Sequence, residues 1–199
     1  MPRPLSAPAS PHLPIATERL ILRPFEPGDL DALAALHGDP QLTRWVPWGP
    51  RSREQVEEVL ERKIAAATIE EDGDGLGIAP VVRETGEMVG DFTLQIASRE
   101  YATGEIGWML HAGQQGRGLA REACAAILAL AFEDLGLHRV IARIEPRNTA
   151  SVRLAEDLGM RREAHLVENE WIRGEWQSEL VYAMLAREWH RGGPASPEC

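Results

Sequence analysis

Of the 21 basic residues in this chain only Lys63 is a lysine, and 31 acidic residues outnumber them, leaving a formal net charge of −10. A field of that sign repels phosphate polymers, so nucleic acid is not an expected partner. Cysteine is nearly absent: Cys124 falls inside an apolar helical pattern and Cys199 ends the chain, which is no disulfide framework and fits a reducing cytoplasm. The longest unbroken apolar run, Ala123 to Phe132, has ten residues, about half the ~20 that a membrane-crossing helix needs. No membrane partner is expected. The first sixteen residues hold five prolines and no apolar core of a secretory signal. The six histidines form no metal-ligand spacing, and neither a His-Glu-x-x-His nor a paired-cysteine motif occurs, so no metal is expected. Asp72 and Asp74 resemble part of a calcium loop, but the later ligand positions hold Leu76 to Arg83, which leaves a solvated acidic turn.

What is present suits one globular domain. The 199 residues are 44% hydrophobic and 26% charged, enough apolar surface for a sizeable core. Residues 1–16 read as a disordered arm, 17–190 as the domain, and 191–199 as a disordered Gly/Pro/Ser tail. Within the domain, Arg19 to Arg23 is a short apolar run stopped by Pro24, as a first strand would be. Asp29 is placed to cap a helix over Leu30–Leu36, and Ser52-x-x-Gln55 has the form of a capping box for a second helix. From Leu76 the period changes to that of strands, with a hairpin turn at Glu84–Glu87. Glu105–Leu110 is a further strand that runs into the Gly-rich stretch His111–Gly118, after which a long helix reaches toward Gly136. The strand Arg139–Ile144 follows. Asn148 is a good cap for a helix over 149–158, and strands at roughly 161–169 and 177–186 complete the pattern around a loop, 170–176, with two tryptophans. The order predicts an α+β (α/β three-layer) fold: a mixed, mostly antiparallel twisted sheet flanked by helices, with one parallel crossover between about 105 and 145.

The segment that speaks of chemistry is Gln115-Gly-Arg-Gly-Leu-Ala120, between a predicted strand and the first turn of the long helix. Glycines at 116 and 118 keep side chains out of the way, so successive backbone N–H groups can converge on a phosphate; the alternative is a plain glycine turn. A P-loop needs Lys and Ser/Thr where Leu119 and Ala120 stand, and a dinucleotide fold needs Gly or Ala where Arg121 stands. A nucleotide-binding regulator is thereby weakened.

The same six residues match every position of the acyl-CoA loop of the GNAT superfamily, Gln/Arg-x-x-Gly-x-Gly/Ala. The resemblance extends to Thr17–Arg23, Gly104–Trp108, Arg121–Ala123, Phe132–Gly136, Asn148–Ser151 and Glu156–Met160, and it covers residues 17–189. Together these segments resemble the branch that holds the Rim-type ribosomal-protein N-terminal (alanine) acetyltransferases. The resemblance implies that the strands on either side of the long helix splay apart at an acyl-CoA site. Met109, Leu110 and His111 would pair with pantetheine, Gln115, Gly116, Arg117, Gly118, Leu119 and Ala120 would form the pyrophosphate loop, and Asn148 would meet the pantetheine arm.

Transfer of an acyl group from a thioester to an amine needs a neutral amine, stabilisation of an oxyanion and a proton for the thiolate. Glu105, a lone carboxylate in an otherwise apolar strand, is the candidate base, and its alternative is an ordinary solvent-facing strand position. Ser151 is the candidate acid by resemblance; as a serine three residues after a cap it is equally an ordinary first-turn residue. The backbone N–H of Met109 or Leu110 would polarise the thioester carbonyl. Many relatives use a tyrosine as acid, but Tyr101 and Tyr182 both fall off the helix that would carry it. Trp45 and Trp48, with Trp171 and Trp176, occupy the segments that flank the acceptor cleft in similar enzymes. With Glu168, Glu170 and Glu175 nearby they would suit a cation or a peptide N-terminus; the alternative for each is a hydrophobic staple. The expectation is a cytoplasmic N-acetyltransferase that uses acetyl-CoA as donor and a small-molecule amine or protein N-terminus as acceptor, by direct attack in a ternary complex. A homodimer is allowed by the resemblance alone. The alternatives are a succinyl-CoA-using relative and a CoA-binding sensor or interaction module without turnover.

Overall fold

The computed structural model describes Leu5, residues 12–66 and residues 68–192. Most of the expected arm and the tail from 193 onward lie outside the described residues. At the end of the stretch read as an arm, Ile15–Ala16 form a short strand, β1, that pairs with β2 (Leu20–Pro24). The remaining elements are α1 (Leu30–Gly38), α2 (Pro40–Thr43), α3 (Arg53–Ala65), β3 (Gly75–Val82), β4 (Gly90–Ser98), β5 (Thr103–Leu110), α4 (Leu119–Ala129), β6 (Arg139–Ile144), α5 (Thr149–Asp157), β7 (Arg161–Ile172), β8 (Glu175–Leu185) and α6 (Ala186–Gly192). The expected fold class holds: eight strands form one open sheet in the order β1-β2-β3-β4-β5-β6-β8-β7, antiparallel except where β5 and β6 run parallel.

Local chemistry explains most element ends. Ser52 and Gln55 form the reciprocal capping box that opens α3, and Asn148 accepts the Ser151 N–H at the start of α5. Gly136 and Gly159 take left-handed φ values of 67° and 83° where the helical stretches before them stop. Asp29 behaves otherwise than expected. It makes no side-chain cap on α1, because its carboxylate is taken by two N–H groups of Arg23, each at 2.7 Å, and by the Glu26 amide at 2.9 Å. The stretch 170–176 is a correction too. β7 and β8 continue through it to a two-residue turn at Arg173 and Gly174, both with positive φ, the geometry of a tight twisted hairpin. After α4 the helix widens into a π-helical turn, Leu130–Asp134, which is buried through Phe132.

The sheet has two differently covered faces. Leu20, Leu22, Ile78, Phe92, Leu94, Ile106, Val140 and Ala142 pack with α4 and α5 in the main core. On the other face Ala79 and Val81 pack against Leu33 and Leu36 of α1 and Val56 and Leu60 of α3 in a second, smaller core. β5 pairs with β4 along its whole length, but with β6 only from Thr103–Arg139 to Glu105–Ile141. Past that point the two parallel strands part, which is the splay that positions the site.

Candidate active site

Three glycines make a cavity over the α1/α3 face. Cross-strand partners share a face, so Gly75 and Gly77 of β3, opposite Gln95 and Thr93 of β4, and Gly107 of β5, opposite Thr93, all point toward α3 with no side chain to fill the space. A Cβ at Gly77 would meet the Lys63 stem at 3.0 Å, and one at Gly107 would meet Thr93 Oγ1 at 2.8 Å. The resulting cavity encloses about 770 Å³ and is bordered by Trp48, Arg51, Arg62 and Lys63 above and by Asp91, Thr93, Gln95, Gly107 and Met109 below.

Glu105 lies on this same face, where β5 and β6 begin to diverge. Its Oε2 accepts from Arg143 Nε at 3.2 Å, and the same guanidinium donates to Glu179 Oε1 at 2.8 Å. Burial holds the Glu105 carboxyl above the usual carboxylate range, against the pull of Arg143 and with help from the nearby charge of Glu179. Its Oε1 has no protein partner among the described residues. Ser151 lies beyond the other face: its Oγ accepts from Trp108 Nε1 at 3.1 Å, which leaves the hydroxyl proton free to donate. Trp108 packs, partly buried, on the main core. Neither tyrosine competes: Tyr101 is 59% exposed, and Tyr182 is buried with its hydroxyl on Glu156 Oε1 at 2.9 Å.

Between these groups runs the edge of β5 that β6 has left. The His111 N–H donates back to Val89 O at 2.9 Å, so by strand alternation the N–H groups of Leu110 and Trp108 face the gap, while that of Met109 faces β4. Gln115 Nε2 holds the strand end through Leu110 O at 3.1 Å. Beyond it Gly116 and Gly118 adopt φ of 73° and 78°, Gly118 being the N-cap of α4, and the amides of residues 116–120 donate to no protein acceptor among the described residues. Five successive free amides at a helix N-terminus, with glycines where side chains would intrude, fit a pyrophosphate. The Asn148 side-chain oxygen is engaged in capping α5, which leaves its NH₂ to meet a ligand.

Two residues gained no role from the sequence yet hold this loop. Glu122 on α4 accepts from Thr17 Oγ1 at 2.6 Å and from the backbone N–H and Nε of Arg19, both at 2.7 Å; Arg19 also donates to Arg117 O at 2.8 Å. They sit in segments that carried the resemblance, Thr17–Arg23 and Arg121–Ala123. The glycines of the cavity floor were also legible as Gly75-x-Gly77 and Gly107, spaced by two in strands, but they read as ordinary strand residues.

The tryptophans separate. Trp48 borders the cavity, in a tilted contact with His37 at 4.6 Å between ring centres and with the Arg51 guanidinium carbon 3.8 Å from its own. Trp45 lies between Arg44 and Arg147. Trp171 and Trp176 form an edge-to-face pair at 5.3 Å near the hairpin tip, 61% and 55% exposed. Of the glutamates near them, Glu175 is paired with Arg147 at 3.1 Å, and Glu168 and Glu170 are exposed on β7. None of the three borders the cavity. Among the described residues no group of three or more metal-ligating side chains occurs, and no helix is long and apolar enough to cross a membrane.

A family model of the acetyltransferase (GNAT) domain matches residues 19–161. The chain is 32% identical over 177 residues to the uncharacterized N-acetyltransferase YnaD of Bacillus subtilis, covering 88% of this chain and 99% of that protein. A solved GNAT-family acetyltransferase from Bacillus anthracis superposes with a TM-score of 0.80 at 29% identity, over 87% of this chain and 99% of its own. Relatives named for their acceptors differ from one another. The spermidine N(1)-acetyltransferase of Vibrio cholerae is 26% identical over 87% of this chain and 97% of its own length. The [ribosomal protein uS5]-alanine N-acetyltransferase of Escherichia coli is 28% identical over 44% of this chain and 45% of its own.

Proposed function

The chain belongs to the GNAT family of N-acetyltransferases, and from that premise we propose that it moves an acetyl group from acetyl-CoA to a primary amine by direct attack in a ternary complex. The observation that carries the reading is the parting of β5 from β6 just past Glu105, with the free-amide loop at the end of β5. The amides of Gly116–Ala120 would hold the pyrophosphate, with Gln115 bracing the strand end before them. The exposed edge at Met109–His111 and the Asn148 amide would line the pantetheine arm, and the Leu110 N–H would polarise the thioester carbonyl.

In this scheme Glu105 takes the proton from the amine, directly or through water, as the C–N bond forms. The C–S bond then breaks, and Ser151 gives its hydroxyl proton to the leaving sulfur and recovers one from solvent. The two groups serve opposite faces of the sheet, so base and acid reach the reacting centre from opposite sides. The gap between the strands gives the thioester access to both. Trp48 would wall the acceptor. Trp45, Trp171 and Trp176 would contribute at its entrance, through the contact of Arg173 with Arg44 O at 2.7 Å that ties the hairpin to the α2–α3 loop.

A thermal-shift titration with acetyl-CoA, succinyl-CoA, ATP and NAD, followed by thiol release with pooled amines, tests the reading. Stabilisation by acetyl-CoA with release of thiol in the presence of an amine is the expected result. Stabilisation by succinyl-CoA alone changes the donor, and stabilisation by ATP or NAD alone overturns the assignment of the loop.

A further inference from the structure

The cavity over the α1/α3 face gathers cations that the protein's own carboxylates do not neutralise. Asp91, at its floor, is committed: Oδ1 accepts from Lys63 Nζ at 2.7 Å and Oδ2 faces His37 Nε2 at 2.8 Å. The other ring nitrogen, His37 Nδ1, lies 3.1 Å from Arg51 Nη1, which can only donate. Nδ1 is therefore the acceptor, and Nε2 donates to Asp91. The charges of Asp91 and Lys63 cancel, which leaves two guanidiniums against one other lining carboxylate, Asp74, whose Oδ2 accepts from the backbone N–H groups of Glu70 and Glu71, each at 2.8 Å. Neither Arg51 nor Arg62 forms an ion pair with a carboxylate among the described residues. Burial first, and then the nearness of Arg62, hold Arg51 below the usual arginine pKa, against the opposing pull of Asp91.

Arg51 is also fixed in place. Its backbone N–H donates to His37 O at 3.0 Å, its plane lies 3.8 Å over Trp48, and the Nη1 contact with His37 sets its rotation. An arginine locked by stacking and by one hydrogen bond keeps its remaining donors aimed without further ordering cost, the arrangement that suits a carboxylate or a phosphate. The Gly107–Met109 segment of β5 lines the same cavity, with Met109 directly across from Asp91 and Glu105 further along the same face of the strand. In a chain of net charge −10, a positive cavity at this position is a local reversal that would repel a polyamine and draw in an anion.

Resting on the acetyltransferase reading of this site, we propose that the acceptor is a primary amine that also carries an anionic group, a carboxylate or a phosphate, held by Arg51 and Arg62 while its amine is presented at β5. The test uses matched acceptors in a thiol-release assay with acetyl-CoA: glycylglycine against glycylglycinamide, O-phosphoethanolamine against ethanolamine, and spermidine. The expected result is a preference of roughly 10- to 100-fold in kcat/KM for the anionic member of at least one pair. Which pair shows it tells carboxylate from phosphate. The preference should fall toward unity in Arg51→Gln/Arg62→Gln and partway in Arg62→Gln, an exposed helix position whose change does not threaten folding. A preference for the neutral members or for spermidine, or a preference that survives the double variant, overturns the inference while leaving the transferase intact. If acetyl-CoA binds but no amine releases thiol, calorimetry with succinate and with inorganic phosphate in saturating CoA decides. Binding lost in the double variant upholds the anion site, and binding that is absent or equal in both proteins overturns it. Failure of acetyl-CoA to bind removes the transferase reading instead, and the same calorimetry without CoA still decides the anion site.

Discussion

Replacing Glu105 with glutamine separates a catalytic base from a structural carboxylate, because the two roles move stability and activity in different ways. In the folded chain burial holds the Glu105 carboxyl above its ordinary value. The folded state thus binds that proton more tightly than the unfolded chain, so ionised Glu105 opposes folding at neutral pH, and the opposition disappears as pH falls below the unfolded value of about 4.3. Glutamine removes the opposition, and Arg143 keeps Glu179 at 2.8 Å, so the variant should melt no lower than wild type at pH 7. Activity should behave otherwise. An amine of pKa ~10.4 is only about 0.1% neutral near pH 7.4, a deficit of roughly 4 kcal/mol, whereas an α-amine near 7.8 falls short by less than ~1 kcal/mol. A base that removes this deficit contributes about 10²- to 10⁴-fold. Measured by thiol release between pH 6 and 10, the loss in kcat/KM should be largest at low pH and shrink about tenfold per unit as pH approaches the amine's own pKa. A pH profile parallel to wild type, or a loss accounted for by a lower melting temperature, refutes the role.

Four further predictions bear on the loop, the acid, the cavity and the core. Gly118→Val forces a β-branched residue into φ of 78° and brings its Cβ within 3.3 Å of Arg19, so CoA affinity should collapse, with a stability loss of about 1–2 kcal/mol in urea titration; normal CoA affinity would sink the loop assignment. Ser151→Ala should lower kcat with little change in KM for acetyl-CoA and shift Trp108 fluorescence through loss of the 3.1 Å hydrogen bond; an unchanged kcat hands the proton to water. Asp91→Asn leaves Lys63, whose side chain is 15% exposed, without its carboxylate and should cost roughly 1–3 kcal/mol at pH 7. Burial raises the Asp91 carboxyl, but His37 and Lys63 outweigh it and hold it below its usual value, so its stabilisation is complete above about pH 5 and fades below ~3.9. The gap between wild type and Asp91→Asn in denaturant midpoint should close over that range. Cys124 is fully buried with its thiol pKa pushed far up, and should resist thiol reagents until the protein unfolds.

How much was legible in the sequence depended on the range of the interaction. Helix starts at Ser52 and Asn148, helix stops at Gly136 and Gly159, and the single parallel crossover rest on local chemistry and period, and the structure follows them. Asp29 failed as a cap because Arg23, on the neighbouring strand, supplied stronger donors than the helix terminus. The loop at 170–176 became a hairpin because Arg173 accepted a left-handed conformation next to Gly174, a preference weak enough in sequence to miss.

The candidate site divides in the same way. Its proposed donor side is a continuous run, Gln115–Ala120, whose glycines announce free amides wherever a helix follows, so the sequence by itself determined the loop and, through it, the family. The proposed acceptor side exists only in three dimensions. Gly75, Gly77 and Gly107 form one floor because β3, β4 and β5 pair in a particular register. Lys63, the sole lysine, and His37 meet on Asp91 because α1 and α3 cross that floor. Arg51 lacks an ion-pair partner among the described residues only because of what the fold places around it. Backbone chemistry repeats along a chain and can be read there. Charge balance in a cavity is a sum over residues far apart in sequence, and only the tertiary structure carries it out.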